Sequence, residues 1–169
     1  MEAERIELVP LAVSDAEEMV HVLADEDLYA FIGGSPPTPA ELRARYARQV
    51  VGRSPDGTQE WRNWIIRTVP DGTAVGYAQA TIVNAGRQAE IAWVVGSPWQ
   101  GRGYATRAAR DLVTWLAGHG VQVIEAHVHP GHAASAAVAR RAGLAPTERF
   151  DDGEQIWRHT VEPPTVTPG

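Results

Sequence analysis

Residues 89–106 (AEIAWVVGSPWQGRGYAT) constrain the fold more than any other part of the chain. The apolar run through Val95 reads as a strand, and proline at 98 cannot donate a ladder hydrogen bond, so pairing should break near Gly96-Ser97-Pro98. After Gly101, Ala105, Ala108, Ala109, Leu112, Val113, Leu116 and Ala117 recur at helical spacing and stop before Gly118 and Gly120. The segment is therefore strand, tight turn, helix. A helix start presents N–H groups without intrahelical partners and a partial positive charge, which together suit an anion. Glycines at 101 and 103 let a phosphate approach the backbone with no Cβ in the way. Arg102, and Arg107 one turn later, can add charge. Two readings stay open: a phosphate or pyrophosphate cradle, or a helix that needs glycine for a sharp start. A dinucleotide-binding loop does not fit, because Gly101-Arg-Gly-Tyr-Ala-Thr106 ends in threonine and no carboxylate precedes Glu125 at the required distance.

The rest of the chain frames this segment. Ser14-Asp15-Ala16-Glu17 and Thr38-Pro39-Ala40-Glu41 both match a capping box, which predicts helices near 15–25 and 39–51. Between them lies a Gly/Pro-rich loop from Asp25 to Pro37. Glu60–Val69, Thr73–Val83 and Gln88–Val95 are rich in Trp, Ile, Val and Tyr and are separated by turn-forming Pro70-Asp71-Gly72 and Asn84-Ala85-Gly86, an antiparallel meander. Val121–Val128 reads as a buried strand, His132–Ala142 as a small-residue helix capped by Gly143, and Leu144–Phe150 with Gln155–Val161 as a hairpin. The order is strand, two helices, three strands, helix, strand, helix, two strands. That is an α+β fold with a mostly antiparallel sheet, one domain over 1–162 and a Pro/Thr-rich tail over 163–169.

Composition removes whole classes of function. All 15 basic residues are arginine, against 21 acidic ones, for a net charge of −6. Without lysine there is no Schiff-base residue and no P-loop. Without cysteine there is no thiolate nucleophile, disulfide or cysteine-bound zinc. Net negative charge argues against a nucleic-acid partner and suits a cationic substrate. Met1 to Pro10 lacks the pattern of a signal peptide and no apolar run approaches a membrane span, so a cytoplasmic protein with no membrane partner is expected.

Gln100-Gly101-Arg102-Gly103-Tyr104-Ala105 resembles the Q/R-x-x-G-x-G/A motif of the GCN5-related N-acetyltransferases. The flanking strand and helix, the next strand, and Ser135 with the Ala142-Gly143-Leu144 helix end follow that family's order, while residues 1–60 match only in outline. Within the family the chain looks most like the group holding ribosomal-protein N-terminal and antibiotic acetyltransferases. The resemblance implies a mixed sheet of six to seven strands with about four helices and splayed central strands. It implies acetyl-CoA as cosubstrate, with its pyrophosphate on Gly101, Arg102, Gly103, Ala105 and Thr106, and with Gln100 and Tyr104 in the same turn. Pantetheine would pair near Trp93 and Val95, and the Val95 N–H would polarise the thioester carbonyl. His132 stands where the family usually has an asparagine that contacts the cofactor.

For the proton transfers, Glu90 lies on the strand leading to the turn. A carboxylate in an apolar strand beside a cleft would have a raised pKa and would suit a base. The other reading is a surface glutamate, or one that only holds a cationic substrate. The family's usual tyrosine acid falls on Ala139, so that role is vacant. Ser135 matches a serine in some relatives, although a helix serine bonded to its own backbone explains it as well. His127, His129 and His132 permit a metal site geometrically, but strand-end histidines are ordinarily bonded to backbone or substrate, and no metal is expected. Trp93 reads as core; Tyr29, Phe31 and the acidic run Asp25-Glu26-Asp27 are candidates to line the acceptor cleft. The resemblance thus implies transfer to a primary amine, either a small molecule or a protein N-terminus, in a ternary complex, with homodimers frequent in the family. The vacant acid position motivates an alternative, a non-catalytic acyl-CoA sensor or partner-binding module.

Overall fold

The computed structural model describes residues 5–162. The tail assigned to 163–169 lies outside them. Strand β1 (Arg5–Pro10) is followed by helices α1 (Ala16–Val22), α2 (Tyr29–Ile32) and α3 (Pro39–Gln49). The meander β2 (Glu60–Val69), β3 (Ala74–Val83) and β4 (Gln88–Val95) comes next. Then come α4 (Tyr104–Gly118), β5 (Val123–Val128), α5 (Ala133–Arg141), β6 (Ala145–Asp151) and β7 (Glu154–Thr160). The expected α+β fold and mixed sheet are present, and the element order is as expected apart from the added short helix α2.

One sheet runs β1-β2-β3-β4-β5-β7-β6, antiparallel everywhere except between β4 and β5. Alternation along its strands sends two sets of apolar side chains to opposite faces. On one face Ile66, Val75, Ile91, Ile124 and Trp157 meet the apolar stripe of α4, with Ala139 of α5 at its edge. On the other, Ile65 and Ala74 pack with Met19 and Val22 of α1 and Leu42 and Tyr46 of α3. Each helix thus buries the stripe that its sequence period creates.

The two capping boxes come out differently. At α3 the box closes as expected: the Glu41 N–H donates to Thr38 Oγ1 at 3.2 Å, and the Thr38 N–H to the Glu41 carboxylate at 3.4 Å. At α1 it does not, because a single 3-10 turn over Val13–Asp15 precedes the helix and the Asp15 carboxylate accepts the Ala12 N–H at 2.8 Å. Asp15 is also held by Arg67 of β2 at 2.9 Å, so the pairing at this helix start is Ala12 with Asp15 and not Ser14 with Glu17. The loop 25–37 likewise contains structure, a 3-10 turn (Glu26–Leu28) and the short α2.

Candidate active site

The site begins where two strands part. β4 pairs with β5 only over Gln88–Ile91 against Val123–Ala126, although it stays paired with β3 to Val95 and β5 stays paired with β7 to Val128. Ala92 to Val95 therefore have no ladder partner on the β5 side. The proline is not what parts them: Pro98 sits in a 3-10 turn (Ser97–Trp99) beyond the strand, whereas the gap opens seven residues earlier, after Ile91. Trp93, read as core, instead lies half-buried in this opening.

The direction of the open backbone groups follows from alternation. The Gly96 N–H donates to the Val75 carbonyl at 2.8 Å, so the groups of Val94 also face β3, and those of Val95 and Trp93 face the gap. The Gln100 amide donates to the Val95 carbonyl at 3.0 Å, which ties the turn to the end of β4. Close approach of β3 assists: a Cβ on Gly76 would collide with the Val94 carbonyl oxygen and sit 2.9 Å from Val95 Cα. Only glycine lets β3 lie this close under the end of β4. A glycine inside a Val/Tyr-rich strand was the available signal for this contact.

Beyond Gln100 the backbone turns through Gly101 and Gly103, both with φ near +80° (79° and 83°), and α4 starts. The first bond within α4 is from Arg107 N–H to the Gly103 carbonyl, so the Ala105 and Thr106 amides have no intrahelical acceptor. They face a cleft of about 420 Å³ lined by Trp93 to Val95, the turn, and α5. A Cβ on Gly101 or Gly103 would meet nothing within 4 Å, so the turn is open on the side an anion must use. Arg102 is exposed at this turn and is not part of the lining. Arg141 of α5 supplies a guanidinium to the lining instead. It shares a helix face with Ser135 and Val138, which also line the cleft, and that three-residue spacing was the legible signal.

His132 and Ser135 are tied to each other. The Ser135 N–H donates to His132 Nδ1 at 3.1 Å, making the imidazole the N-cap of α5, and Ser135 Oγ lies 3.4 Å from Nε2. Phe31 of α2 covers this histidine with ring centroids 4.5 Å apart. Burial pushes the His132 pKa down, which agrees with a cap that needs an unprotonated Nδ1. Ala139, the position matching the family's tyrosine, is fully buried in the α4-side core.

Glu90 points to the opposite sheet face. Its side chain is 55% exposed, so the apolar burial expected for it is absent; alternation turns Ala89 and Ile91 into the core and Glu90 away from it. There it lies 3.7 Å from His127 Nδ1, which is 3.8 Å from the Asp151 carboxylate. Glu125, level with Glu90 on β5, is buried and occupied by Arg158, Arg149 and Gln88. His129 accepts the Gly131 N–H. The three histidines thus go to separate partners, and among the described residues no three His, Asp or Glu side chains form a metal-binding group. In the acidic run, Asp25 caps the 3-10 turn and bonds Ser97, which holds its carboxyl below the usual range, while Asp27 lines the cleft. Tyr29 donates to the Leu23 carbonyl and supports the loop. No helix among the described residues is long and apolar enough to cross a membrane.

This arrangement has known counterparts. A GNAT-family acetyltransferase from Bacillus anthracis superposes with a TM-score of 0.76 at 17% identity, over 95% of this chain and 97% of that one. An aminoglycoside acetyltransferase solved with coenzyme A gives 0.74 at 18%, over 92% and 95%. The microcin C7 self-immunity acetyltransferase, solved with acetyl-CoA and AMP, gives 0.77 at 16%, over 92% of each. No curated protein sequence matches at a significant level. The acetyltransferase (GNAT) domain family matches residues 5–145, and with most of its length inside that match the chain belongs to this family.

Proposed function

We propose that the protein transfers the acetyl group of acetyl-CoA to a primary amine by direct attack in a ternary complex. The observation that carries this reading is the open edge of β4. Four residues with no β5 partner lead into a turn whose amides face the same cleft, a fit for an extended amide-bearing arm ending in a pyrophosphate. The solved relatives that hold coenzyme A or acetyl-CoA support the same assignment. Gly101, Gly103, Ala105 and Thr106 would hold the phosphates, with Arg141 adding charge. Trp93 and Val95 would pair with the arm, and the Val95 N–H would polarise the thioester carbonyl. Acetyl-CoA supplies the acyl group, and with no cysteine in the chain an acyl-cysteine intermediate is excluded.

The amine must lose a proton as it attacks. Glu90, solvent-exposed beside His127, would take it through water, and Ser135, in the cleft, is the candidate to protonate the leaving thiolate. Acetyl-CoA titrated against the melting temperature tests the site: ligand selective for the folded state at a hundredfold excess over Kd adds about 2.7 kcal/mol of stability. Thiol release on a panel of primary amines tests the reaction. Glu90→Gln should keep the full thermal response to acetyl-CoA and lose about 100-fold in kcat, within the range for a general base. A thermal response with no thiol release on any amine would favour a sensor over an enzyme.

A further inference from the structure

A second cavity lies on the acceptor face of the sheet, under α3. It encloses about 200 Å³ between α3 and strands β2 and β3, and Arg45, Tyr46, Gln49, Asn63, Tyr77 and Gln79 supply its polar groups. Tyr46 is 4% exposed, yet among the described residues its hydroxyl has no hydrogen-bond partner. A buried orphan donor is uncommon and needs an explanation. Burial raises its pKa far above the ordinary phenol value, so it remains a donor at any working pH. A shallower groove of about 240 Å³ continues outward with Arg48 and Thr81 in its wall. Neither lining contains a carboxylate, although the chain carries six more acidic than basic residues. Every charged group there is a guanidinium, and every other polar side chain can donate.

The cavity is also in the right place. Tyr77 is the cross-strand partner of Val94, Gln79 of Ala92, and Thr81 of Glu90. The cavity wall is therefore one strand, about 5 Å, from the open part of β4, and α3 hangs two strands from the Glu90 carboxylate. Because Thr81 sits opposite Glu90, the Glu90 carboxylate and the Arg45 and Arg48 guanidiniums lie on the same face of the sheet.

We infer that the acceptor is an amine that also bears a compact anion, a carboxylate or phosphate monoester, which enters the cavity under α3 while the amine faces β4. The inference rests on the acetyl-transfer reading and narrows its substrate class. It departs from the expectation from net charge, which suited a cationic substrate.

The test compares matched amines: an ω-amino carboxylate, its carboxamide, an aminoalkyl phosphate and a diamine of equal length. The expected result is that kcat/KM for a carboxylate or phosphate exceeds that for the carboxamide and the diamine by at least ~10-fold, the worth of about one charge-assisted hydrogen bond. Whichever anion leads identifies the group. Tyr46→Phe and Arg45→Gln should each erase most of that preference through KM with kcat retained. Tyr46→Phe should leave the melting temperature unchanged or higher, since it deletes a hydroxyl with no hydrogen-bond partner among the described residues. A merely structural Tyr46 would shift the melting temperature and not KM. Preference for the diamine, or a preference unaltered by both variants, overturns the inference. Thermal shifts by the same amines without acetyl-CoA test the cavity independently of turnover. A rise with the anionic amines that Tyr46→Phe loses supports it, and no rise overturns it. Failure of the acetyl-transfer reading shows separately, as no response to acetyl-CoA.

Discussion

The two sides of this sheet build their sites from different material. The cleft at the start of α4 is made of backbone: strand edges without partners, helix-start amides and a turn through two left-handed glycines. The α3 face instead presents side chains, Glu90, His127, Asp151, Arg45 and Tyr46, drawn from four elements more than 100 residues apart at the extremes. Backbone donors are the same in every sequence, so such a site tolerates wide variation as long as its conformation survives. A side-chain site changes specificity with each substitution. The comparison teaches that the backbone side depends on conformation and the side-chain side on residue identity, so the two should answer differently to substitution.

The largest expected effect falls on the backbone side. Gly76→Ala places a methyl against the Val94 carbonyl and Val95 Cα, neither of which can give way without moving β4. Overpacking against backbone should destabilise by about 3 kcal/mol or more. In thermal unfolding that appears as a loss of well over 5 °C in a domain of this size, at roughly 2–4 °C per kcal/mol. A melting temperature close to the parent's would mean that the strand edge is adaptable, and the contrast between the two sides would weaken.

Gly103→Ala separates conformation from ligand. The added Cβ meets no protein atom, so only the left-handed backbone opposes it, at about 1–2 kcal/mol. Acetyl-CoA binding should weaken by at least ~10-fold beyond that, because the methyl stands where the phosphate approaches. Isothermal titration of the folded variant reads the second effect directly. An unchanged Kd would move the phosphate site elsewhere in the cleft.

The smallest effect sits where the two materials meet, at the His132 cap. A histidine whose folded pKa is depressed below its unfolded value favours the neutral folded state. Its contribution is therefore complete above the unfolded pKa, near 6.5, and is lost as pH falls from there through the folded pKa. His132→Asn keeps a good N-cap side chain and removes the titration, so stability should fall less steeply between pH 7 and 5 than in the parent. Denaturant midpoints at the two pH values measure this. An unchanged slope would mean that the imidazole does not cap α5 in solution.

Much of this molecule was legible before its structure. The meander boundaries at Glu60, Val69, Gln88 and Val95 were read correctly because β-branched and aromatic runs were bracketed by Gly, Pro and Asn turns. The glycine turn at Gly101–Gly103 and the start of α4 after it were legible because they are written in consecutive residues. The α1 capping box failed because the 3-10 turn over Val13–Asp15 moves the helix start past Ser14, with Asp15 held by the Ala12 N–H and by Arg67, fifty-two residues away. For Glu90 the sequence leaves open a carboxylate in apolar surroundings or a surface glutamate, because its neighbours are apolar; alternation turns it to the open face.

By itself, then, the sequence determined the element order apart from α2, the absence of thiol and lysine chemistry, and the glycine turn before α4, since these depend on residue identity and local periodicity. Tertiary structure alone decided where β4 leaves β5, that Gly76 permits the approach of β3, and that Arg45, Tyr46 and Glu90 share one face. Those facts arise from pairing between distant segments, where strand register and alternation select which side chains meet, and no local pattern carries that information.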